Sequence, residues 1–216
     1  MKRILLFGNW NGIYHPIDEF GKRMEKLLEG MALTITDSEQ DLLGLTKENY
    51  DLCIMYREFG MKQLSDEQTA AVITFVANGG PFLVLHNGIS IQDRSELAQL
   101  IGGVFIEHPP YEELPQVYYM IEGEHPVTKG VRDFIMPDEL YRFKLGNLAD
   151  IRMILTYEEN DIKYPAGWVR RFGMGQMVYL CCGHGAYAFD CKEFCTLVKN
   201  AVDWLLAGVK RESIER

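Results

Sequence analysis

Three short runs, Arg3 to Gly8, Tyr50 to Tyr56 and Phe82 to Leu85, place apolar side chains on successive residues instead of alternating them with polar ones. A strand with one wet face alternates. A strand apolar on both faces must be covered on both. The segments between these runs read as helices. Ile17, Phe20, Met24, Leu27 and Leu28 recur at helical spacing, and Gly30 follows as a stop. Ser65-Asp66-Glu67-Gln68 is a capping box with acids at the positive helix end; Val72, Phe75 and Val76 then form an apolar face before Gly79-Gly80. Buried strands separated by helices predict an α/β fold with a parallel sheet covered on both sides.

The second half is built differently. Val104 to Glu107, Val117 to Glu122, Leu140 to Leu145 and Ile151 to Tyr157 read as strands joined by turns, with no long helix from Gly103 to Thr156. Gln176 to Cys181 is a further apolar strand. A last helix follows, with Asp190 as its N-cap, Glu193 at the reciprocal position and Phe194, Leu197, Val198, Ala201, Val202 and Leu205 on one face. Without a repeat or linker, the expectation is one domain over residues 1–209, carrying an antiparallel insertion or extension. Residues 210–216 are a charged tail.

Charge and cysteine usage narrow the partners. With 31 acidic against 22 basic residues the net charge is -9, which argues against a nucleic-acid backbone or an anionic membrane surface as the main partner. A small neutral molecule fits, and a homo-oligomer is compatible. Cys53, Cys181, Cys182, Cys191 and Cys195 are odd in number and partly vicinal, a poor disulfide framework. Reduced thiols and the lack of a signal-like or membrane-spanning apolar run lead us to expect a cytoplasmic protein.

Ligands of an open parallel sheet bind beyond the carboxyl ends of its strands. After the first strand comes Asn9-Trp10-Asn11-Gly12-Ile13-Tyr14-His15, after Phe82 to Leu85 comes His86-Asn87-Gly88, and after the late strand Gly183-His184-Gly185. Three of the five histidines therefore fall at one edge. Val84-Leu85-His86-Asn87-Gly88 has the layout of a nucleophile elbow with His at the reactive position, where it can serve as base, electrostatic stabiliser or metal ligand but not as an acyl-enzyme nucleophile. Cys181 and Cys182 sit in a strand and read as packing. Asp138-Glu139 precedes a strand, which makes Glu139 a candidate acid, base or ligand.

His86, His184 and Glu139 are the catalytic candidates. Trp10, Asn11, His15, Asn87, His108 and Tyr141 are the substrate-binding ones, and His108 in Glu107-His108-Pro109-Pro110-Tyr111 could fold back over the site. His125 in Gly123-Glu124-His125-Pro126 reads as a turn residue. A histidine trio of His86, His108 and His184 with a carboxylate suits zinc or another divalent transition metal, although no pair has His-Glu-x-x-His spacing. Neither a Gly-x-Gly-x-x-Gly nor a Gly-Lys-Ser/Thr pattern is present, so dinucleotide and nucleoside triphosphate binding find no support.

An ordered set of stretches resembles the ThuA-like, trehalose-utilisation family. It comprises Leu64 to Gln68, Phe75 to Gly80, Val84-Leu85-His86, Leu100 to Phe105, His108-Pro109, His125 to Gly130, Asp138 to Tyr141, Pro165 to Gly175 and Gly183-His184. The resemblance implies a flavodoxin-like three-layer sandwich with a mostly parallel central sheet, of the class I glutamine amidotransferase type. It also implies a site that has lost the amidotransferase cysteine, with His86 in its place, and a link to carbohydrate catabolism. The family usually carries Asp after the late Gly-His, where this chain has Gly185, and Gly after the elbow His, where it has Asn87. Asp190 is a substitute carboxylate for His184 on sequence position.

Two readings follow. One is a histidine- or metal-dependent hydrolase, lyase or isomerase of a sugar or keto-sugar derivative, without glutaminase activity. The other is a non-catalytic amidotransferase-like module that binds a small sugar or a protein partner.

Overall fold

The computed structural model describes residues 1–147 and 149–208. Its first strand, β1 (Arg3–Gly8), is buried from Ile4 onward and pairs in parallel with β2 (Ala32–Thr36) and β3 (Leu52–Tyr56). The chain leaves β1 through α1 (Ile17–Leu27), reaches β2 on one side, then returns to β3 on the other. That reversal leaves a crevice beyond the carboxyl ends of β1 and β3. α2 (Asp66–Ala77) leads to β4 (Phe82–Leu85), parallel to β3, and β11 (Gly175–Leu180) lies parallel beside β4. Every residue of β3, β4 and β11 is buried, as runs without polar alternation require. α4 (Lys192–Ala207) packs on all three of these strands.

Past β11 the same sheet continues antiparallel through β10 (Ile162–Phe172), β9 (Ile151–Glu159), β6 (Gln116–Ile121) and β7 (Phe134–Pro137), giving nine strands. β5 (Gly103–Glu107) and β8 (Arg142–Leu145) form a separate antiparallel pair. The antiparallel part is thus an extension of the main sheet plus a small ribbon. Trp168 of β10 is fully buried, and its indole N–H donates to the Ile101 carbonyl at 2.8 Å, tying the extension to α3 (Ser95–Ile101).

The Ser65 capping box is present, with Ser65 and Gln68 satisfying each other's backbone N–H. Other local expectations change. The last helix begins at Lys192 with Cys191 as N-cap and no side-chain cap. Asp190 instead ends the preceding 3-10 turn and pairs with Arg23 at 3.3 Å. Leu140 precedes β8 rather than belonging to it. β10, β7 and α3 are elements the sequence reading did not mark. β10 contains Pro165, which lacks the ladder donor; the register shifts between Pro165 and Gly167, an irregularity that absorbs it. All five cysteines are free. Among the described residues no helix is long and apolar enough to cross a membrane. The charged tail at 210–216 lies outside the described residues.

Candidate functional site

Four chain segments converge at the carboxyl ends of β1, β3, β4 and β11. The first is the loop after β1. The Asn9 carbonyl accepts the N–H groups of Gly12 and Ile17, and Asn9 Oδ1 accepts the Glu58 N–H. Glu58 Oε1 in turn accepts the Tyr14 N–H at 2.7 Å. These bonds hold the loop so that His15, only 5% exposed, faces inward. A Cβ at position 12 would lie 2.4 Å from Glu58 Oε2 and 2.9 Å from the His15 carbonyl oxygen, so a side chain there would displace the carboxylate and press on the loop.

The second segment is the elbow after β4. His86 adopts φ +43°, a left-handed conformation that costs a non-glycine residue on the order of 1–3 kcal/mol. The bend brings its fully buried ring into the site. His86 Nδ1 donates to the Cys181 carbonyl at 2.5 Å, which turns Nε2 toward Glu139 Oε2 at 3.0 Å. The ring stacks on Tyr141, centroids 4.4 Å apart.

The third segment, after β11, carries His184. Gly183 takes φ +117°, and its N–H donates to Asp138 Oδ2 at 2.8 Å; the His184 carbonyl accepts the Tyr56 hydroxyl at 2.8 Å. The fourth, between β7 and β8, supplies the carboxylates. Asp138 is fully buried and uses its other oxygen, Oδ1, to accept the Glu139 N–H. It lies 3.7 Å from His86 Nδ1.

Glu139 sits at the centre. Its Oε2 lies 3.0 Å from His86 Nε2, 3.2 Å from His184 Nδ1 and 3.7 Å from His15 Nε2, while His15 Nε2 and His184 Nδ1 are 3.1 Å apart. Its Oε1 accepts a hydrogen bond from the Tyr111 hydroxyl. Ligand atoms of His15, His86, Glu139 and His184 all lie within 4.8 Å of one another.

Burial and this crowding set the protonation states. Burial, aided by the charges of His86 and His184, lowers His15 from 6.5 to about 4 against the opposing bond to Glu139. His15 is therefore neutral at pH 7. Burial alone would also lower His86, but Glu139 and Asp138 outweigh it and raise its pKa. Burial opposes ionisation of Glu139, yet its bonds to His15, His184 and His86 hold it well below the usual carboxylate range. Glu139 is thus held toward its ionised form and His86 toward its protonated one, each favouring the other's charge. Burial pushes the Cys181 and Cys182 thiols well up, so neither is a thiolate nucleophile.

The structure brings His15, His86 and His184, the three histidines that the strand-end argument puts at one edge, together around Glu139, and His15 takes the place that the metal trio gave to His108. His108 does not occupy that place. Its Nε2 is 4.0 Å from Glu139 Oε1, on the far side of the carboxylate, and its side chain is 37% exposed. The Glu107 to Tyr111 segment does fold back over the site, but it delivers the Tyr111 hydroxyl rather than an imidazole. Tyr141 forms a buried wall. Asn87 is fully buried behind the elbow, its Nδ2 donating to the Tyr56 carbonyl, so it ties the elbow to β3 rather than facing a ligand. Trp10 and Asn11 are exposed on the β1–α1 loop.

Asp190, paired with Arg23, is not the carboxylate of His184; Glu139 is. His125 caps the turn Pro126–Thr128, its Nδ1 accepting the Val127 N–H, and packs edge-on against Trp204. A groove of about 740 Å³ runs past His125 and Lys129, but it lies apart from the histidine–carboxylate cluster. Tyr111, Tyr56 and Glu58 are further residues of the candidate site that sequence reasoning did not assign. Only Tyr111 carried a signal, its position in the aromatic stretch after His108.

A family model for trehalose utilisation, ThuA, matches residues 3–205. No curated protein matches the chain. Among solved structures, a ThuA-like protein from Bacteroides uniformis ATCC 8492 superposes with TM-score 0.75 at 20% identity, covering 94% of this chain and 91% of its own. One from Parabacteroides merdae ATCC 43184 gives TM-score 0.74 at 16% identity, covering 95% and 90%. A cytoplasmic protein of Salmonella typhimurium LT2 gives TM-score 0.69 at 12% identity, covering 94% and 99%. These likenesses show a shared α/β fold, and the family match over nearly the whole chain shows that it belongs to the ThuA, trehalose-utilisation family.

Proposed function

We propose that the protein is an enzyme acting on a small sugar or keto-sugar derivative, with His184 and Glu139 carrying proton transfer and charge stabilisation. One observation carries this reading: three imidazoles surround a single carboxylate oxygen at the strand-end crevice. Surface ion pairs do not converge in this way, and clustered groups with displaced pKa values mark functional sites. Membership of a family described by trehalose utilisation supports the choice of a sugar as substrate class.

Within the cluster the roles differ by exposure. His86 is sealed in, whereas the His184 side chain is 17% exposed, so a ligand meets His184 first. His184 exchanges a proton with the sugar, and neutral His15, 3.1 Å away, relays it. Glu139 stabilises whichever imidazole carries the proton. Trp10 and Tyr187, exposed on two of the loops around the cluster, supply aromatic faces for a ring's C–H side. A cytoplasmic location belongs to this reading, supported by five free thiols and by the Salmonella neighbour described as cytoplasmic.

The test is incubation of the purified chain with oxidised disaccharides, read by mass spectrometry of the products. His184→Asn and Glu139→Gln should each lower turnover by about 100-fold or more, and His125→Asn should leave it intact. Saturable binding of the same sugars without turnover would replace this reading with that of a binding module.

A further inference from the structure

We propose that His15 Nε2, His86 Nε2, His184 Nδ1 and Glu139 Oε2 form a binding site for one divalent transition metal of the zinc class. This rests on the reading above only in taking the same cluster as the site, and a bound metal would take the place of the His15–His184 proton relay; it needs no sugar, and it stands or falls on metal content.

The spacing is that of a coordination shell. Zinc–nitrogen and zinc–oxygen bonds of about 2.0–2.1 Å in a tetrahedron place neighbouring donor atoms about 3.3 Å apart. The separations here are 3.0, 3.1, 3.2 and 3.7 Å, and the whole set fits within 4.8 Å. A chain of hydrogen bonds requires only that each atom be near its partners in sequence. Here all four donor atoms gather around one point.

The donor chemistry selects the ion. Calcium and magnesium take oxygen ligands, whereas three imidazole nitrogens and one carboxylate oxygen suit zinc and its first-row neighbours. The outer contacts are those of a metal site as well. His86 gives its Nδ1–H to the Cys181 carbonyl with Asp138 alongside, which leaves Nε2 as the ring atom aimed inward, free to ligate once metal binding displaces its proton. The Tyr111 hydroxyl occupies Glu139 Oε1, leaving Oε2 as the single oxygen offered to the centre. Each ligand also stands on a braced strand end or connection, so the shell is prebuilt rather than gathered from mobile loops. His108 is outside it, at 4.0 Å on the wrong oxygen.

The experiment uses the full, untagged chain. Metal is removed with a chelator, and cobalt(II) is added back as a visible-absorbing probe, with elemental analysis of the zinc-dialysed protein alongside. The expected result is one equivalent of metal per chain. Apparent affinity should fall by about 100-fold or more in His15→Ala and in Glu139→Gln, and His108→Ala should be unchanged. Circular dichroism checks that each variant is folded, and a metal-dependent rise in Tm of the unaltered chain gives a second readout. Substoichiometric metal, or cobalt affinity that survives His15→Ala but falls in His108→Ala, overturns the site. A chain that binds cobalt tightly yet ignores every sugar leaves this site standing and removes the catalytic reading.

Discussion

Acidification of the metal-free protein isolates what it costs to keep His15 inside. Its pKa is lowered from 6.5 in an open chain to about 4 in the folded protein, with burial the main cause. A depressed folded pKa means that the unfolded chain binds the proton more readily. The contribution of His15 to stability is therefore complete above pH 6.5 and is lost as pH falls from 6.5 toward 4. The gap of about 2.5 pH units corresponds to about 3 kcal/mol once both states are protonated, and about 2 kcal/mol has gone by pH 5.

His15→Gln keeps a polar side chain of similar reach and removes the titration. Urea unfolding of the two chelator-treated proteins at pH 7, 6, 5 and 4.5 gives two stability profiles. Buried groups outside the cluster contribute equally to both, Glu139 stays ionised across this range in the unaltered chain, and altered packing offsets the variant's curve without tilting it. The unaltered chain should lose about 2 kcal/mol more than the variant between pH 7 and pH 5. Parallel profiles would show that His15 is not held neutral by its surroundings, and the inward-facing geometry of the β1–α1 loop would be wrong.

Three further substitutions probe the frame of the site. In Gly88→Ala the new Cβ would lie 2.0 Å from the Met55 carbonyl oxygen, in the middle of the sheet where nothing can yield, so destabilisation of about 3 kcal/mol or more is expected by urea unfolding; a loss under about 1 kcal/mol would refute the elbow's packing. Asp138→Asn turns one of two acceptors into a donor facing a backbone N–H of Gly183 or Glu139, and should cost about 2 kcal/mol in the same assay. Tyr111→Phe removes the partner of Glu139 Oε1, with a cost of about 1 kcal/mol because the site is half open there; an unchanged unfolding midpoint would mean that the loop over the site is not fastened to Glu139.

Much of this frame was legible because it rests on local rules. The buried strands declared themselves by lacking polar alternation, and the Ser65 box by its spacing. His86 stood out because a strand, a reactive position and a nearby Gly make a turn whatever the rest of the chain does. What stayed hidden depends on contacts distant in sequence. β10 carries Pro165, Gly167 and charged Arg170-Arg171, each a mark against a strand, and it exists because β9 and β11 pair with it on both sides. The strand-end rule put His15 at the ligand edge, yet it did not separate His15 from His108 as third imidazole, since both precede a proline in a polar, aromatic loop. Glu58 decides between them by fastening Tyr14 from 44 residues away, and no periodicity reports such a bond.

The missing acid after His184 shows how the same chemistry can be supplied from elsewhere. Family resemblance places Asp where this chain has Gly185, and the nearest acid in sequence, Asp190, points to Arg23 instead. The connection between β7 and β8 supplies the replacement by presenting two adjacent acids in different directions. Asp138 spends both oxygens on backbone N–H groups, one of them that of Gly183. In doing so it fixes the turn that carries His184 and the main chain that carries Glu139. Glu139 is then free to give Oε2 to the imidazoles. The charge is thus separated from the scaffolding: a buried carboxylate fully engaged with the main chain holds the geometry, and its neighbour does the electrostatic work. Position 185 can be glycine because the site takes its negative charge from the far side of the crevice, and a site built this way is sensitive to Asp138 even though Asp138 touches no ligand.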